Sequence, residues 1–455
     1  MTRRNFLAGA LAQTRASRPN VVMFMTDDHG AWAMGNYGCT EMQTPNLDRL
    51  AAEGARFDHA YACTPVCSPS RATYITGKLP SQHGIQDYLL ARDAFGPESR
   101  AFLDGHTCYT EILARHGYTV GLCGKWHMGH DDKAQRGFTW WHTVPGGGGT
   151  YRDPEFVTNG ERRKLEGYKT DLVTGGALQF LDAVKDKPFF LLVPYYAPHT
   201  PFDYQPDVYR APYADSKFSC FPSDAPHPAQ NPGLARHHLN RDSMHAYSAL
   251  IRGVDQNVGR ILRRLPENTL VVFTADQGWN AGHHGVWGKG NGTIPFNLYD
   301  ESIRVPMIWH HPGRIQPATV VSSMVSSYDF FPTILDYLGL PPHRDAKLVG
   351  RSYADFLRGR APRWRERLYF EYSYVRGVRT QNTKYVERTK EWPSELYDLE
   401  ADPGETRNLI AEPSQAKRLA ELRADLAGFF RKAGAPALVD WRSTTRQNLN
   451  VYRRE

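Results

Sequence analysis

Two short acidic pairs carry the first chemical signal. Asp27-Asp28 follows the apolar run NVVMFMT (Asn20 to Thr26), and Asp276-Gln277 follows TLVVFT (Thr269 to Thr274) one residue on. Adjacent carboxylates repel each other unless a cation or hydrogen-bond donors neutralise them. Together the pairs supply three carboxylates and one amide oxygen. That hard-oxygen set suits Ca²⁺ or Mg²⁺, not zinc, which prefers nitrogen and sulfur. Cys67-Ser68-Pro69-Ser70-Arg71 adds a thiol with a guanidinium four residues later. Lys125 and His127 in Gly124-Lys125-Trp126-His127, His199 after Ala197-Pro198, and Lys289 beyond Gly282-His283-His284-Gly285 are groups that hold anions or move protons.

These residues are scattered along the chain, so a fold must gather them. Strands are expected at Asn20 to Thr26, Tyr118 to Cys123, Pro188 to Pro194 and Thr269 to Thr274, and each ends near one of the polar groups. Helices are expected at Thr44 to Gly54, from Cys67 to Thr76, and over Glu111 to His116, Asp171 to Val184, Met244 to Leu265 and Asp329 to Leu338. The alternation predicts an α/β domain built on a large, buried, mostly parallel sheet between helices. In such sheets, sites lie at the carboxyl ends of the strands. Residues 20–340 form that domain in this reading. From 341 to 455 the texture changes to short strands (Arg367 to Tyr374, Lys384 to Glu387), a turn at Asp402-Pro403-Gly404 and a helix from Ser414 to Ala433, a smaller α+β unit. Trp140-Trp141 beside the Gly146 to Gly149 run reads either as an aromatic platform on a mobile loop or as core aromatics beside a linker.

Composition narrows the class. With 455 residues, 41% hydrophobic and 23% charged, the chain can bury a sizeable core and is not disordered. No apolar run approaches the roughly 18 residues of a membrane span, and no basic helix or finger spacing points to nucleic acid. The net charge of +7 suits an anionic partner. Six cysteines in so long a chain exclude a disulfide scaffold, and there is no CxxC pair and no zinc ribbon. At the N-terminus, Arg3-Arg4 before the short apolar stretch Phe6-Leu7-Ala8 resembles a twin-arginine signal over residues 1–19. The chain is therefore expected to be exported, to the periplasm or beyond.

Cys67-x-Pro69-Ser70-Arg71 followed by Ala72-Thr73-Tyr74-Ile75-Thr76-Gly77-Lys78 resembles the activation motif of the type I sulfatases, within the alkaline-phosphatase-like superfamily. Asp27-Asp28, Thr44-Pro45-Asn46-Leu47-Asp48, Gly124-Lys125-Trp126-His127, Ala197-Pro198-His199, Thr274-Ala275-Asp276-Gln277-Gly278, Arg304-Val305-Pro306 and Glu395-Leu396-Tyr397-Asp398-Leu399 are similar to further blocks of that family, in its order. Two positions depart: Gln277, where many members carry Asn, and Lys78, where the motif often ends in Arg. Cys63 lacks an arginine at the corresponding place.

The resemblance implies an alkaline-phosphatase-like α/β domain. It also implies oxidation of Cys67 to Cα-formylglycine by a separate maturation enzyme, either formylglycine-generating or sulfatase-maturating. A calcium ion, with magnesium as the alternative, would be held by Asp27, Asp28, Asp276, Gln277 and residue 67 itself. The aldehyde hydrate would attack sulfur, forming a covalent sulfate intermediate. Arg71 and Lys125 would steady the diol and the sulfate oxygens, and His127 would take a proton as sulfate leaves. His199 and Lys289 would protonate the departing alcohol, with Lys125, His199, His284 and Lys289 touching substrate. The expected substrate is a sulfated sugar or polysaccharide fragment. The rivals are a phosphodiester or phosphonate monoester hydrolase with the same nucleophile, and a silent homologue that binds sulfated glycans.

Overall fold

A computed structural model describes residues 18–438 except 186, 390 and 391. The twin-arginine segment lies outside the described residues, apart from its last two. The chain's centre is a ten-stranded sheet. Its strands are β1 (Asn20–Thr26), β2 (Ala55–Phe57), β3 (Thr119–Gly124), β4 (Trp140–Thr143), β5 (Glu155–Thr158), β6 (Glu161–Lys164), β7 (Phe189–Pro194), β8 (Thr269–Ala275), β9 (Met307–His310) and β10 (Thr319–Val321), in the spatial order β10-β2-β9-β8-β1-β7-β3-β4-β5-β6. The central strands β8, β1, β7, β3 and β4 run parallel, and β9, β5 and β6 pair antiparallel with their neighbours.

Parallel strands buried on both faces read as continuous apolar runs. Val21 to Phe24 and every residue of β7 and β8 are accordingly buried. The register sets β1 level with its neighbours: Asn20 faces Thr269, Thr26 faces Ala275, and Met25 faces Pro194. All three strands therefore expire at one level.

Helices α1 (Pro45–Ala52), α3 (Lys169–Val184) and α4 (Arg241–Leu262) pack with the face of the sheet that carries Val22, Phe24, Leu191 and Phe273. α2 (Cys67–Thr76) lies under the opposite face and is buried along its whole length. Pro69 is tolerated because it sits in the first turn, where its missing N–H has no helical partner to lose. Gly77 ends the helix at φ 68°, its N–H donating to Thr73 O. α4 starts three residues earlier than its apolar pattern indicates, because the Asn240 side chain caps it, accepting from Ser243 N–H at 2.9 Å.

A second, antiparallel sheet comprises β11 (Leu368–Tyr372), β12 (Val375–Arg379), β13 (Thr383–Arg388) and β14 (Glu395–Asp398), and helix α5 (Ala416–Lys432) lies against β12 and β13. The aromatic-platform expectation is corrected by packing. Trp141 is fully buried, with its ring 5.3 Å from Trp126 and 5.6 Å from Phe138, and Trp140 packs on Phe180. One disulfide, Cys39–Cys220, links segments 181 residues apart. Their spacing alone did not pair them.

Candidate active site

Adjacent strands β8, β1, β7 and β3 deliver Asp276-Gln277, Asp27-Asp28, His199 and Lys125/His127 to the same end of the sheet. α2 arrives from below with Cys67 at its first position. Residues four apart on a helix lie one above the other, so Arg71 shares the face of Cys67.

Asp27 is the hub. Its Oδ2 takes the Lys125 ammonium and, at 3.3 Å, the Arg71 guanidinium. Arg71 also donates to Asp276 Oδ2 through Nε at 2.8 Å and to the Lys125 carbonyl at 2.7 Å. Lys289 Nζ donates to Asp28 Oδ1 at 2.6 Å and stands 3.8 Å from Asp27 Oδ1. Three carboxylates thus meet three cations, all buried. Burial opposes the charge on Asp27, but Lys125, His199, Lys289 and Arg71 outweigh it and hold its carboxyl well below the usual range. For Asp276, burial and the nearby Asp27 win, pushing it up to about 7 despite Arg71. Lys289 is held firmly cationic: burial works against it, but Asp28, Cys67, Asp27 and Asp276 prevail.

The donor set itself tests whether a metal fits. Asp28 Oδ2 and Gln277 Oε1 are buried and accept no hydrogen bond. Buried acceptors are nearly always satisfied. The Gln277 amide turns its nitrogen to Asp28 Oδ1 at 2.6 Å and Asp27 Oδ1 at 3.2 Å, and a half-turn of the amide would bring its oxygen to that side. Asp27, Asp28 and His199 each have a ligand atom within 4.8 Å of the others. Orphaned oxygens beside crowded carboxylates fit a hard divalent cation.

His127 has a defined tautomer. Its Nε2 lies 2.8 Å from the Leu89 carbonyl, which only accepts, so Nε2 carries the proton. The free lone pair on Nδ1 faces Cys67 Sγ at 3.5 Å and Ser68 Oγ at 3.2 Å. Burial, then Lys125, holds the imidazole well below its usual pKa and therefore neutral. His127 and Asp28 both sit in left-handed backbone, at φ 60° and 63°. Such conformations cost on the order of 1–3 kcal/mol and gather at functional sites. The Asp28 carbonyl is anchored by Tyr247 Oη at 2.8 Å.

His199 is the more open member, its side chain 24% exposed and its Nε2 3.6 Å from Asp28 Oδ2. Its Nδ1 donates to the Thr200 carbonyl, and its ring stacks on Tyr196 with centroids 4.8 Å apart. His284 does not join the group. Its Nε2 pairs with Glu301 at 2.8 Å, and its ring stacks on Tyr299 at 3.9 Å. Sequence reasoning passed over Tyr196 and Tyr151, which the fold brings to His199, Ser68, which it brings to His127, and Lys169, which lies over the Tyr196 ring. Tyr196 was visible as an aromatic near His199; Lys169 gave no signal.

A family model described as Sulfatase matches residues 19–340, and one described as N-sulphoglucosamine sulphohydrolase, C-terminal, matches 282–432. The chain belongs to the sulfatase family. It is a hydrolase of sulfate esters, on the alkaline-phosphatase-like fold. The sulfatase is 29% identical to an N-acetylglucosamine-6-O-sulfatase of Bacteroides thetaiotaomicron, over 89% of this chain and 85% of that one. It is 28% identical to an ulvan-active sulfatase of Formosa agariphila, over 91% and 81%. Among solved structures it resembles one in complex with its substrate D-glucosamine-2-N,6-O-disulfate, with TM-score 0.78 and 27% identity over 92% of this chain and 99% of that one. A phosphonate monoester hydrolase of Agrobacterium radiobacter shares the fold at TM-score 0.69 and 22% identity, over 91% and 96%. Among the described residues, no helix is long and apolar enough to cross a membrane.

Proposed function

We propose that this sulfatase hydrolyses the sulfate ester of a sulfated sugar or a fragment of a sulfated polysaccharide, working with Cα-formylglycine at position 67 and a divalent cation. The convergence of Cys67, Arg71, Lys125, His127 and Lys289 on the Asp27–Asp28–Asp276 cluster carries the reading. The relatives named for sulfated amino sugars and ulvan support the substrate class. Asp27, Asp28, Asp276, Gln277 and residue 67 would hold the cation, calcium or magnesium. Once oxidised and hydrated, residue 67 offers a geminal diol, with one hydroxyl to attack sulfur and a second whose proton loss expels sulfate.

The chain's own groups follow from their placement. Asp27 pairs with Lys125 and Arg71, Asp28 pairs with Lys289, and Asp276, pushed up to about 7, is only part ionised near neutral pH. A bound divalent cation would add positive charge here, and Lys125, Lys289 and Arg71 are already in position for sulfate oxygens. His127, neutral and with its Nδ1 lone pair turned to position 67, accepts the diol proton. His199, at the open side, delivers a proton to the departing alcohol oxygen. Its free pKa is lowered by burial, with Asp28 and Asp27 pulling the other way, and a bound sulfate's negative charge favours the imidazolium further. Lys289, held cationic, steadies negative oxygen nearby.

The protein would be matured by a formylglycine-forming enzyme and then exported. Disulfides persist in oxidising compartments, so the Cys39–Cys220 bridge supports export. The direct test is turnover of 6-O- and N-sulfated amino sugars and ulvan fragments beside an aryl sulfate and an aryl phosphonate. Preference for sulfate esters supports the reading. Preference for the phosphonate would assign the chain to its fold neighbour's chemistry, and silence toward all of them despite confirmed formylglycine would make it a glycan-binding homologue.

A further inference from the structure

Lys169 is the first residue of α3 and is 1% exposed, yet the site described above makes no use of it. Its place is unfavourable twice over. A cation at a helix N-terminus opposes the helix dipole. Burial, with Lys125 adding repulsion, draws its ammonium down to about 7. A side chain so placed does not serve the stability of its own helix. Its ammonium instead donates to the carbonyls of Gly148 at 3.1 Å and Gly149 at 2.8 Å, and lies 4.0 Å from the centroid of the Tyr196 ring.

Those carbonyls belong to the run Gly146–Gly149, and the run is pressed against the imidazole that faces Cys67. A Cβ on Gly147 would stand 2.1 Å from His127 Cδ2 and 2.3 Å from Cγ. Only a residue without a side chain can lie this close, and at φ 66° glycine is also the residue its backbone favours. Three of the run's four residues have positive φ. Such a segment has wide conformational freedom, so holding it against His127 needs an anchor, and Lys169 is the side chain bonded to two of its carbonyls.

We propose that Lys169 is a positioning residue for the reaction: it fastens the Gly146–Gly149 run, and the run in turn fixes the His127 ring with its Nδ1 toward position 67. The inference rests on the reading of His127 as the base that assists sulfate release. It deepens that reading by naming what holds the base in place.

The test uses the full-length chain with Lys169→Met, His127→Ala and the double variant. A nitrophenyl sulfate separates release of the alcohol, seen as a burst, from the slower steady turnover that needs sulfate release. Misplacing a reacting group by about 1 Å costs roughly 10²-fold. Lys169→Met should therefore slow steady turnover by about that factor while keeping the burst. In the His127→Ala background it should cost nothing more, because residues acting through one another are not additive. A second readout needs no turnover: ¹⁵N and ¹³C ring signals of His127 in protein with an unmodified thiol at Cys67 should shift and broaden in Lys169→Met. Where that variant fails to fold, Lys169→Gln, which keeps N–H donors but reaches less far, is read in the same way. An equal loss in the His127→Ala background, or unmoved His127 signals, would overturn the proposal. If His127→Ala itself leaves sulfate release unimpaired, the role of His127 fails, and the ring signals still decide whether Lys169 positions it.

Discussion

Gly147→Ala perturbs the site by a known distance. The added Cβ would meet His127 Cδ2 at 2.1 Å, where ordinary contact begins at 3.4 Å, so the ring or the run must yield by about 1.3 Å. His127 cannot retreat that far and keep both its bond to Leu89 O at 2.8 Å and its Nδ1 contact with Cys67 Sγ at 3.5 Å. A displacement of about 1 Å corresponds to roughly 10²-fold in rate, or about 2.7 kcal/mol of barrier. Alanine in left-handed backbone adds a folding cost of about 1–2 kcal/mol that has nothing to do with His127. Gly160→Ala supplies the control. It has φ 93° and no neighbour within 4 Å of the added Cβ, and it lies outside the run, so it carries the backbone cost without the clash. Both variants should melt lower than wild type, and only Gly147→Ala should lose steady turnover of a nitrophenyl sulfate while keeping its burst. If the two variants turn over alike, the argument that the run sets the position of His127 is refuted.

Chelation followed by calcium titration should abolish and then restore turnover, and a cation at a hundred times its Kd should raise stability by about 2.7 kcal/mol. Asp28→Asn should largely remove that gain, whereas metal content and rate untouched by thorough chelation would refute a cation site. His199→Ala should cost far more with a sugar sulfate than with a nitrophenyl sulfate, by up to about 10²- to 10⁴-fold, because only the poor leaving group needs the proton; equal losses in kcat/KM would remove it from the acid role. The His284–Glu301 pair should show in stability against pH. Burial lowers the His284 pKa, but Glu301 raises it above 6.5 overall, so its contribution is complete below 6.5 and lost as pH rises through the raised value. Glu301 is pulled below 4.5 against its burial, so its contribution is complete above 4.5 and lost as pH falls through the lowered value. The melting-temperature gap between wild type and His284→Gln should peak between these limits and narrow on the alkaline side. A gap independent of pH would contradict the pairing.

The central strands were legible because parallel strands buried on both faces have no alternation to blur: the predicted Asn20 to Thr26 coincides with β1, and the predicted Cys67 to Thr76 with α2. What the pattern could not supply was strand order. That β8, β1, β7 and β3 are neighbours is a long-range fact, and it is what converts four separate polar loops into one cluster. Trp140 and Trp141 were ambiguous because a Trp pair beside glycines suits a surface platform and core aromatics beside a linker equally; burial of Trp141 against Trp126 and Phe138 decided it. His284 sits in a glycine-rich motif close to Lys289 in the chain, yet its backbone turns at φ 58° and its ring goes to Tyr299 and Glu301. Lys169 was unreadable because a lysine at a helix start ordinarily faces solvent, and only the tertiary fold folds glycine carbonyls over it.

The state of residue 67 in active enzyme tests the account most directly. Protein made with and without a formylglycine-forming enzyme should be digested to the tryptic peptide Phe57 to Arg71, weighed by mass spectrometry, and assayed on a sulfated amino sugar. Turnover should rise in proportion to the fraction carrying the aldehyde at position 67, with Cys63 unchanged, and Cys67→Ala should fold but be inactive. Full turnover from protein carrying only the unmodified thiol would contradict this.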